Sequence, residues 1–382
     1  MAALALPPLS LYVHLPWCIR KCPYCDFNSF ELKQELPERT YVAALLRDLD
    51  AELPFVAGRE VESIFVGGGT PSLFSGDAIE TLLDGIRDRV ATVPDVEISL
   101  EANPGAAEAK RFADFRRAGV NRVSIGVQSF REPQLQALGR VHGSAEAVSA
   151  VESAHAAGFS NINIDLMYAL PGDEAEGAIG DLERALALQP THLSWYQLTV
   201  EPQTHFERHP PPLPDDDATA AVETAGRQLL AERGFERYEV SAYARPGFRC
   251  RHNLNYWQFG DYLGIGAGAH GKLTLRDGSG IERRAKARNP KTYQASAGLP
   301  VATTVERIDT ADALVTEFLM NSLRLVDGVS LELLQSRAGQ SIDRIADGLE
   351  QARHAGWLAA DTGRLQATPA GMQSLNRLLT LL

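Results

Sequence analysis

The sequence predicts an α/β protein: a partial, TIM-like (β/α)6 barrel followed by a smaller α-rich, winged-helix-like C-terminal domain. Three observations lead there. Between Ser10 and Leu198, six short apolar runs alternate with helix-length segments, the pattern of a parallel sheet clothed in helices. From about Thr304 the order becomes helix, helix, helix, hairpin, helix. The chain has 382 residues, more than a single core usually spans, since cores stop growing near about 250–300 residues.

The expected strands are Leu11–Leu15, Ser63–Val66, Val96–Leu100, Arg122–Ile125, Asn161–Leu166 and His192–Leu198. Helices are expected at Pro37–Leu53, Asp77–Val90, Ala106–Ala118, Ser144–Ala157 and Asp173–Leu188, with Gly119 and Gly158 as stops. The proline run His209–Pro214 reads as a rigid loop. It leads into a helix opened by Asp215–Asp217, whose charges suit the helix dipole, and ending near Arg233. A strand at Arg237–Ala242, a glycine-rich tract at Gly260–Gly271, a basic connector at Arg283–Asn289 and a short helix follow. The tract lacks the lysine and serine of a P-loop, so close backbone packing beside the barrel mouth is its expected role. Helices at Thr310–Leu323, Leu331–Arg337 and Ile342–Ala355, a hairpin through Asp361–Arg364 and a last helix opened by Thr368-Pro369 complete the chain. The expected units are residues 1–200 as barrel core, 201–303 as barrel extension and 304–382 as C-terminal domain.

A composition of 45% hydrophobic and 23% charged residues supplies a well-buried core. The net charge of −12, with no lysine- or arginine-rich run, excludes a nucleic-acid backbone as an expected partner. Neither a membrane-length apolar stretch nor a signal-peptide pattern is present, so the expected location is the cytoplasm.

Three of the chain's four cysteines, Cys18, Cys22 and Cys25, fall within a single short loop after the first strand; the fourth is Cys250. Three thiolates from one loop suit an iron–sulfur cube, and leave its fourth iron open to another ligand. Zinc is the alternative. It needs a fourth ligand, and His14, the local candidate, reads as a strand residue. A redox pair at Cys22 and Cys25 would leave Cys18 without a role. Cys250 is expected to be buried.

Other residues at the strand ends fit a ligand pocket. The Gly67–Thr70 run lets backbone groups approach an amine closely. Glu101 and Asp165 end strands and can accept hydrogen bonds from a ribose or an ammonium, although either alone would pass for a solvated loop acid. Gln128 ends the fourth strand. Arg140 offers a bidentate fork to a carboxylate; a surface arginine is the plain alternative.

The spacing Cys-x-x-x-Cys-x-x-Cys, with Tyr24 before the last cysteine, resembles the signature of the radical S-adenosylmethionine superfamily. Within it the chain resembles the branch containing oxygen-independent coproporphyrinogen III oxidase (HemN) and, more closely, the heme chaperones HemW. The resemblance runs through Tyr12-Val13-His14-Leu15-Pro16-Trp17-Cys18, Gly67-Gly68-Gly69-Thr70-Pro71, Glu101-Ala102-Asn103-Pro104, Gly126-Val127-Gln128-Ser129-Phe130 and Asp165-Leu166-Met167. It implies a [4Fe-4S] cluster on Cys18, Cys22 and Cys25. It also implies S-adenosylmethionine contacts from Tyr12, Tyr24, Gly68, Gly69, Thr70, Glu101, Gln128, Arg140 and Asp165. The implied chemistry is reductive cleavage of the sulfonium cofactor to a 5′-deoxyadenosyl radical, with electrons from a donor protein.

Two departures separate the relatives. The oxidase carries a further cysteine two places after the third, where this chain has Asp26-Phe27, and a longer N-terminal extension than a first strand near Ser10 allows. The segment His252-Asn253-Leu254-Asn255-Tyr256-Trp257 instead resembles the His-Asn-x-x-Tyr-Trp motif of the chaperones. It implies heme contacts from His252, Asn253, Tyr256 and Trp257, with His252 as a ligand to iron and the aromatics beside the porphyrin. The plain alternative is that His252 and Asn253 hydrogen-bond within a turn and Trp257 is core. The expected function is heme binding and transfer to acceptor proteins. The alternatives are a radical enzyme acting on a porphyrinogen and a zinc-bearing barrel with an interaction domain.

Overall fold

In the computed structural model, residues 4–56, 58–105, 110–360 and 363–382 are described. The six expected strands are present as β1 (Leu9–Leu15), β2 (Val61–Gly68), β3 (Thr92–Ala102), β4 (Arg122–Gln128), β5 (Asn161–Tyr168) and β6 (His192–Gln197). They pair in parallel in sequence order. Val, Ile and Leu side chains of these strands are buried on both faces, as parallel strands between helices require. The helices between them cover Glu38–Val56, Gly76–Arg87, Phe112–Ala118, Ser144–Ala156 and Ala175–Ala187. The start of the expected helix Ala106–Ala118 falls partly on residues 106–109, outside the described ones.

The sheet continues past the sixth strand. On one side it adds β7 (Glu236–Arg237) and β8 (Ala242–Ala244); on the other, β9 (Asp261–Ile265), β10 (His270–Thr274), β11 (Ile281–Lys286) and β12 (Thr303–Arg307). The full order is β12-β11-β10-β9-β1-β2-β3-β4-β5-β6-β8-β7. β9 runs parallel to β1, with Leu9 opposite Asp261 and Val13 opposite Ile265. The barrel therefore stays open, with β12 and β7 as its edges.

Several local expectations need correction. Arg237–Ala242 is not a strand: the chain reverses there, because Ser241 donates twice to the Glu239 carboxylate and Arg237 folds onto the Val240 carbonyl. The basic connector Arg283–Asn289 is largely strand β11. Its alternation turns Arg283 outward to Glu317 and turns Arg284 and Lys286 inward. There Lys286 Nζ lies 2.6 Å from both Asp48 and Glu52, and Arg284 Nε lies 2.8 Å from Glu52. Tyr293 also donates to Asp48 at 2.7 Å. This buried ionic knot ties the first helix to the far sheet edge, and removing one member would leave an uncompensated charge at a cost of about 3–5 kcal/mol. The segment His252–Trp257 lies on a helix, Arg251–Trp257, so the turn of the plain alternative is absent. The last helix is broken at Ser374 into Pro369–Gln373 and Leu375–Leu381.

The glycine tract packs as expected. Gly266 has φ +110°, and a Cβ there would meet the His14 carbonyl oxygen at 2.3 Å. Asn28, three residues beyond Cys25, donates to the carbonyls of Ala267 and Arg288, fastening the cysteine loop to this tract.

A second core lies in the C-terminal part. Phe318, Leu319, Leu334, Leu349, Leu365 and Leu378 pack together with Ile281 from the extended sheet and Phe259 from the turn before β9. The helices Ala311–Ser322, Glu332–Ala338 and Ala346–His354 surround it. The expected third helix is divided: Ile342–Arg344 forms a separate 3-10 turn ahead of Ala346–His354. Leu358 bridges Ala367 and Arg364–Leu365 pairs with Val329–Ser330; the expected hairpin tip, residues 361–362, lies outside the described residues.

Candidate functional site

The cysteine loop leaves the C-terminal end of β1, where loops of a parallel barrel gather. Its ends are pinned by parallel pairing of Trp17–Cys18 with Phe30–Glu31 and by the bond from Leu32 N to Cys18 O at 2.8 Å. Inside, Cys25 N donates to Cys22 O at 3.2 Å, a tight turn that brings these two residues close. Cys18, Cys22 and Cys25 are all half-buried and line one cavity of about 710 Å³. Burial pushes the Cys18 and Cys25 thiols up.

Strand-end residues complete this cavity. Gly68 takes φ +116°, and a Cβ there would strike the His14 ring at 2.6 Å. Its amide donates to Glu101 Oε2 at 3.0 Å. Gly69 and Thr70 donate to the carbonyls of Leu15 and Trp17, which fixes this run against the start of the cysteine loop. Arg140 Nη2 donates to Asn103 Oδ1 at 2.6 Å and to the Gly126 carbonyl at 2.8 Å, while Nη1 reaches Cys22 Sγ at 3.5 Å. Asn103 in turn donates to Thr70 Oγ1 at 2.8 Å. Gln128, at φ +71° beside a register shift between β4 and β5, accepts from Tyr196 at 2.9 Å. Asp165 accepts from Ser124 at 3.0 Å and from Asn163 at 2.7 Å. Burial and then Asp165 push Glu101 up to about 7. Tyr24 lines the same cavity and packs on Phe206.

Eight of the nine residues expected around S-adenosylmethionine thus border the cysteine cavity. Tyr12 does not. It lines a second cavity and donates to His14 Nδ1 at 2.8 Å, since His14 Nε2 carries its proton toward the Asn28 carbonyl. Asn103, Tyr196, Ser124 and His142 also line the first cavity and were not singled out in the sequence. Asn103 sat inside a block already noted, whereas nothing local marked Tyr196. His142 gives Nε2 to the Val127 carbonyl at 3.1 Å, and burial and then Arg140 lower it to about 4.

The residues present fit a cluster with an open corner. Three thiols from one loop form a soft donor set suited to iron–sulfur chemistry. Beside them Arg140 Nε is buried with no hydrogen-bond partner among the described residues, a donor left for a ligand.

The second cavity, about 910 Å³, lies between the barrel strands and the C-terminal part. Asp26, Phe27, Gly68, Glu101, Ser124, Asp165 and Ser194 line both cavities, which adjoin along them. Asn253, Tyr256, Trp257 and His252 border the second one. Trp257 lies under the Arg324 guanidinium at 4.3 Å, and Tyr256 meets Tyr262 edge-on at 4.3 Å between centroids. His252 differs from the expected ligand. It is 1% exposed, with Nδ1 at 3.0 Å from Ser63 Oγ and Nε2 at 2.9 Å from the Tyr256 hydroxyl. Burial and then Arg122 lower it to about 3, so it is a neutral imidazole with both nitrogens engaged. Cys250 is fully buried, 3.6 Å from Glu97, and pushed up to about 12 by burial.

Comparison with known proteins agrees with this arrangement. The Radical SAM superfamily model matches residues 12–185, and the HemN C-terminal domain model matches residues 309–373. The heme chaperone HemW of Escherichia coli is 51% identical over 376 residues, covering 98% of each chain. That of Haemophilus influenzae is 46% identical over 380 residues, again 98% of each. The solved coproporphyrinogen III oxidase HemN from Escherichia coli, a radical SAM enzyme, superposes with a TM-score of 0.82 at 24% identity, over 100% of this chain and 91% of the other; the likeness is one of fold. Superfamily membership implies a [4Fe-4S] cluster and S-adenosylmethionine, and no described helix is long and apolar enough to cross a membrane. With its cysteine loop, two adjoining cavities and near full-length identity, the chain belongs to the heme chaperone HemW family of radical SAM proteins.

Proposed function

We propose that this protein binds heme in the second cavity and transfers it to acceptor proteins in the cytoplasm, with a [4Fe-4S] cluster and S-adenosylmethionine held in the first. The observation that carries this reading is the second cavity itself. It is large enough for a tetrapyrrole, walled by Tyr256, Trp257 and Tyr262, and it adjoins the cysteine cavity along shared residues.

Each cavity has distinct work. Cys18, Cys22 and Cys25 would hold the cluster, which with its sulfonium partner supplies one-electron reductive chemistry when a donor protein delivers electrons. Arg140, with an unpartnered Nε, orients a carboxylate at that corner. The Gly68–Thr70 backbone, Tyr24 and Gln128 shape the pocket, and Glu101 and Asp165 accept hydrogen bonds from hydroxyl or ammonium groups. On the other side, Asn253, Tyr256 and Trp257 border the heme, while His252 braces Tyr256 from behind. Residues 1–200 then act as the cluster unit, 201–303 as much of the heme side, and 304–382 as its cover.

Titration of the anaerobically reconstituted protein with hemin tests this. Saturable growth of a Soret band, with no product from coproporphyrinogen III, is the expected result. Decarboxylated porphyrinogen would replace the chaperone reading with that of a radical enzyme.

A further inference from the structure

Three imidazoles line the second cavity, and they are not equivalent. His14 and His252 each have both ring nitrogens in hydrogen bonds. His270 has neither nitrogen engaged among the described residues, and it is solvent-exposed at the start of β10, held opposite Ala285 of β11. Its neighbour on the cavity rim is Arg288, also exposed, whose Nε donates to Asn28 Oδ1 at 3.3 Å and whose terminal nitrogens have no hydrogen bond among the described residues. Phe27, 57% exposed, closes the same rim. Of the cavity's other cations, Lys272 is committed to Asp261 and to the Phe259 carbonyl, and Arg122 is buried away from the rim, beside the charges of Glu97 and Asp165.

An open imidazole, an open guanidinium and an exposed aromatic ring on one rim answer the three parts of a heme: iron, propionate and porphyrin face. Resting on the heme-chaperone reading, we propose that His270 is the protein's axial ligand to heme iron and that Arg288 pairs with a propionate. The bond is dative, from the lone pair of a neutral ring nitrogen, and needs no redox partner. Partial desolvation at the rim, followed by the charges of Arg288 and Arg283, lowers His270, which favours that neutral form. The sheet fixes the ligand in place, whereas His252 could reach iron only by breaking two buried hydrogen bonds.

Hemin is titrated into full-length, cluster-reconstituted protein and followed by Soret absorbance and electron paramagnetic resonance. The parent is expected to bind saturably with an imidazole-ligated signature. His270→Ala should lose that signature and bind about tenfold or more weakly, and free imidazole should restore the spectrum. His270→Met, which offers a thioether instead, should shift the signature rather than delete it. Arg288→Gln should weaken binding by about tenfold with the iron signature intact, as for one lost charge-assisted bond. A His270→Ala protein with the parent's spectrum and affinity overturns the assignment and leaves the chaperone reading standing. A parent that binds no hemin overturns both.

Discussion

The cavity under the cysteine loop and the cavity beside Trp257 adjoin, yet the motifs that mark them face opposite ways. In the first, an irregular loop presents three half-buried sulfurs to one space, with an unpartnered arginine nitrogen beside them. In the second, a seven-residue helix divides its motif by depth: His252 and Asn255 are buried, while Asn253, Tyr256 and Trp257 are half-buried. Asn255 is spent on Ser10 and Asp261, and His252 on Ser63 and Tyr256. A motif therefore locates a site without saying which of its members meet the ligand. Backbone geometry decides that, because a helix sends residues four apart the same way, as His252 and Tyr256 meet edge-on at 4.8 Å.

This contrast can be broken in four places. Replacing Cys18, Cys22 or Cys25 by Ala should reduce iron and sulfide per chain to background after anaerobic reconstitution, while Cys250→Ala keeps the parent's content. Full loading without Cys18 would deny the first cavity its role. His252→Ala should cost about 2–3 kcal/mol in urea unfolding, because it empties a buried site and takes the partner from the half-buried Tyr256 hydroxyl, while Ser63 keeps its bond to Ser10. A variant as stable as the parent would mean that His252 is not the brace described here.

The third test concerns Glu101 in ligand-free protein. Its pKa in the folded chain, about 7, lies above the ordinary 4.5, so the folded state holds the proton more tightly than the unfolded state. Stability should then fall as pH rises from 4.5 to 7, and Glu101→Gln should remove a slope worth on the order of 1–3 kcal/mol. An unchanged slope, measured by denaturant unfolding across that window, would contradict the burial that raises Glu101. Arg140→Lys has the smallest expected effect, a weakening of S-adenosylmethionine binding by about tenfold in calorimetry, since an ammonium cannot reproduce the fork. Affinity equal to the parent's would remove Arg140 from the pocket.

The alternation from β1 to β6 was legible because buried parallel strands leave continuous apolar runs. The cysteine loop was legible because its chemistry is local in sequence. The far half of the sheet was not. Strand β11 reads as a basic linker, and only Asp48 and Glu52, more than two hundred residues away, make its inward Arg284 and Lys286 tolerable in a core. His270 went unnoticed for a related reason: its freedom is visible only after His14 and His252 are seen to be occupied. Tyr196 enters the first cavity through β6, and no neighbouring residue announces it.

Glu101 and Asp165 line both cavities at once. Positive charge lodged in either cavity draws on the same two carboxyls and favours release of their proton. Each chamber thereby inherits part of its acidity from whatever its neighbour contains.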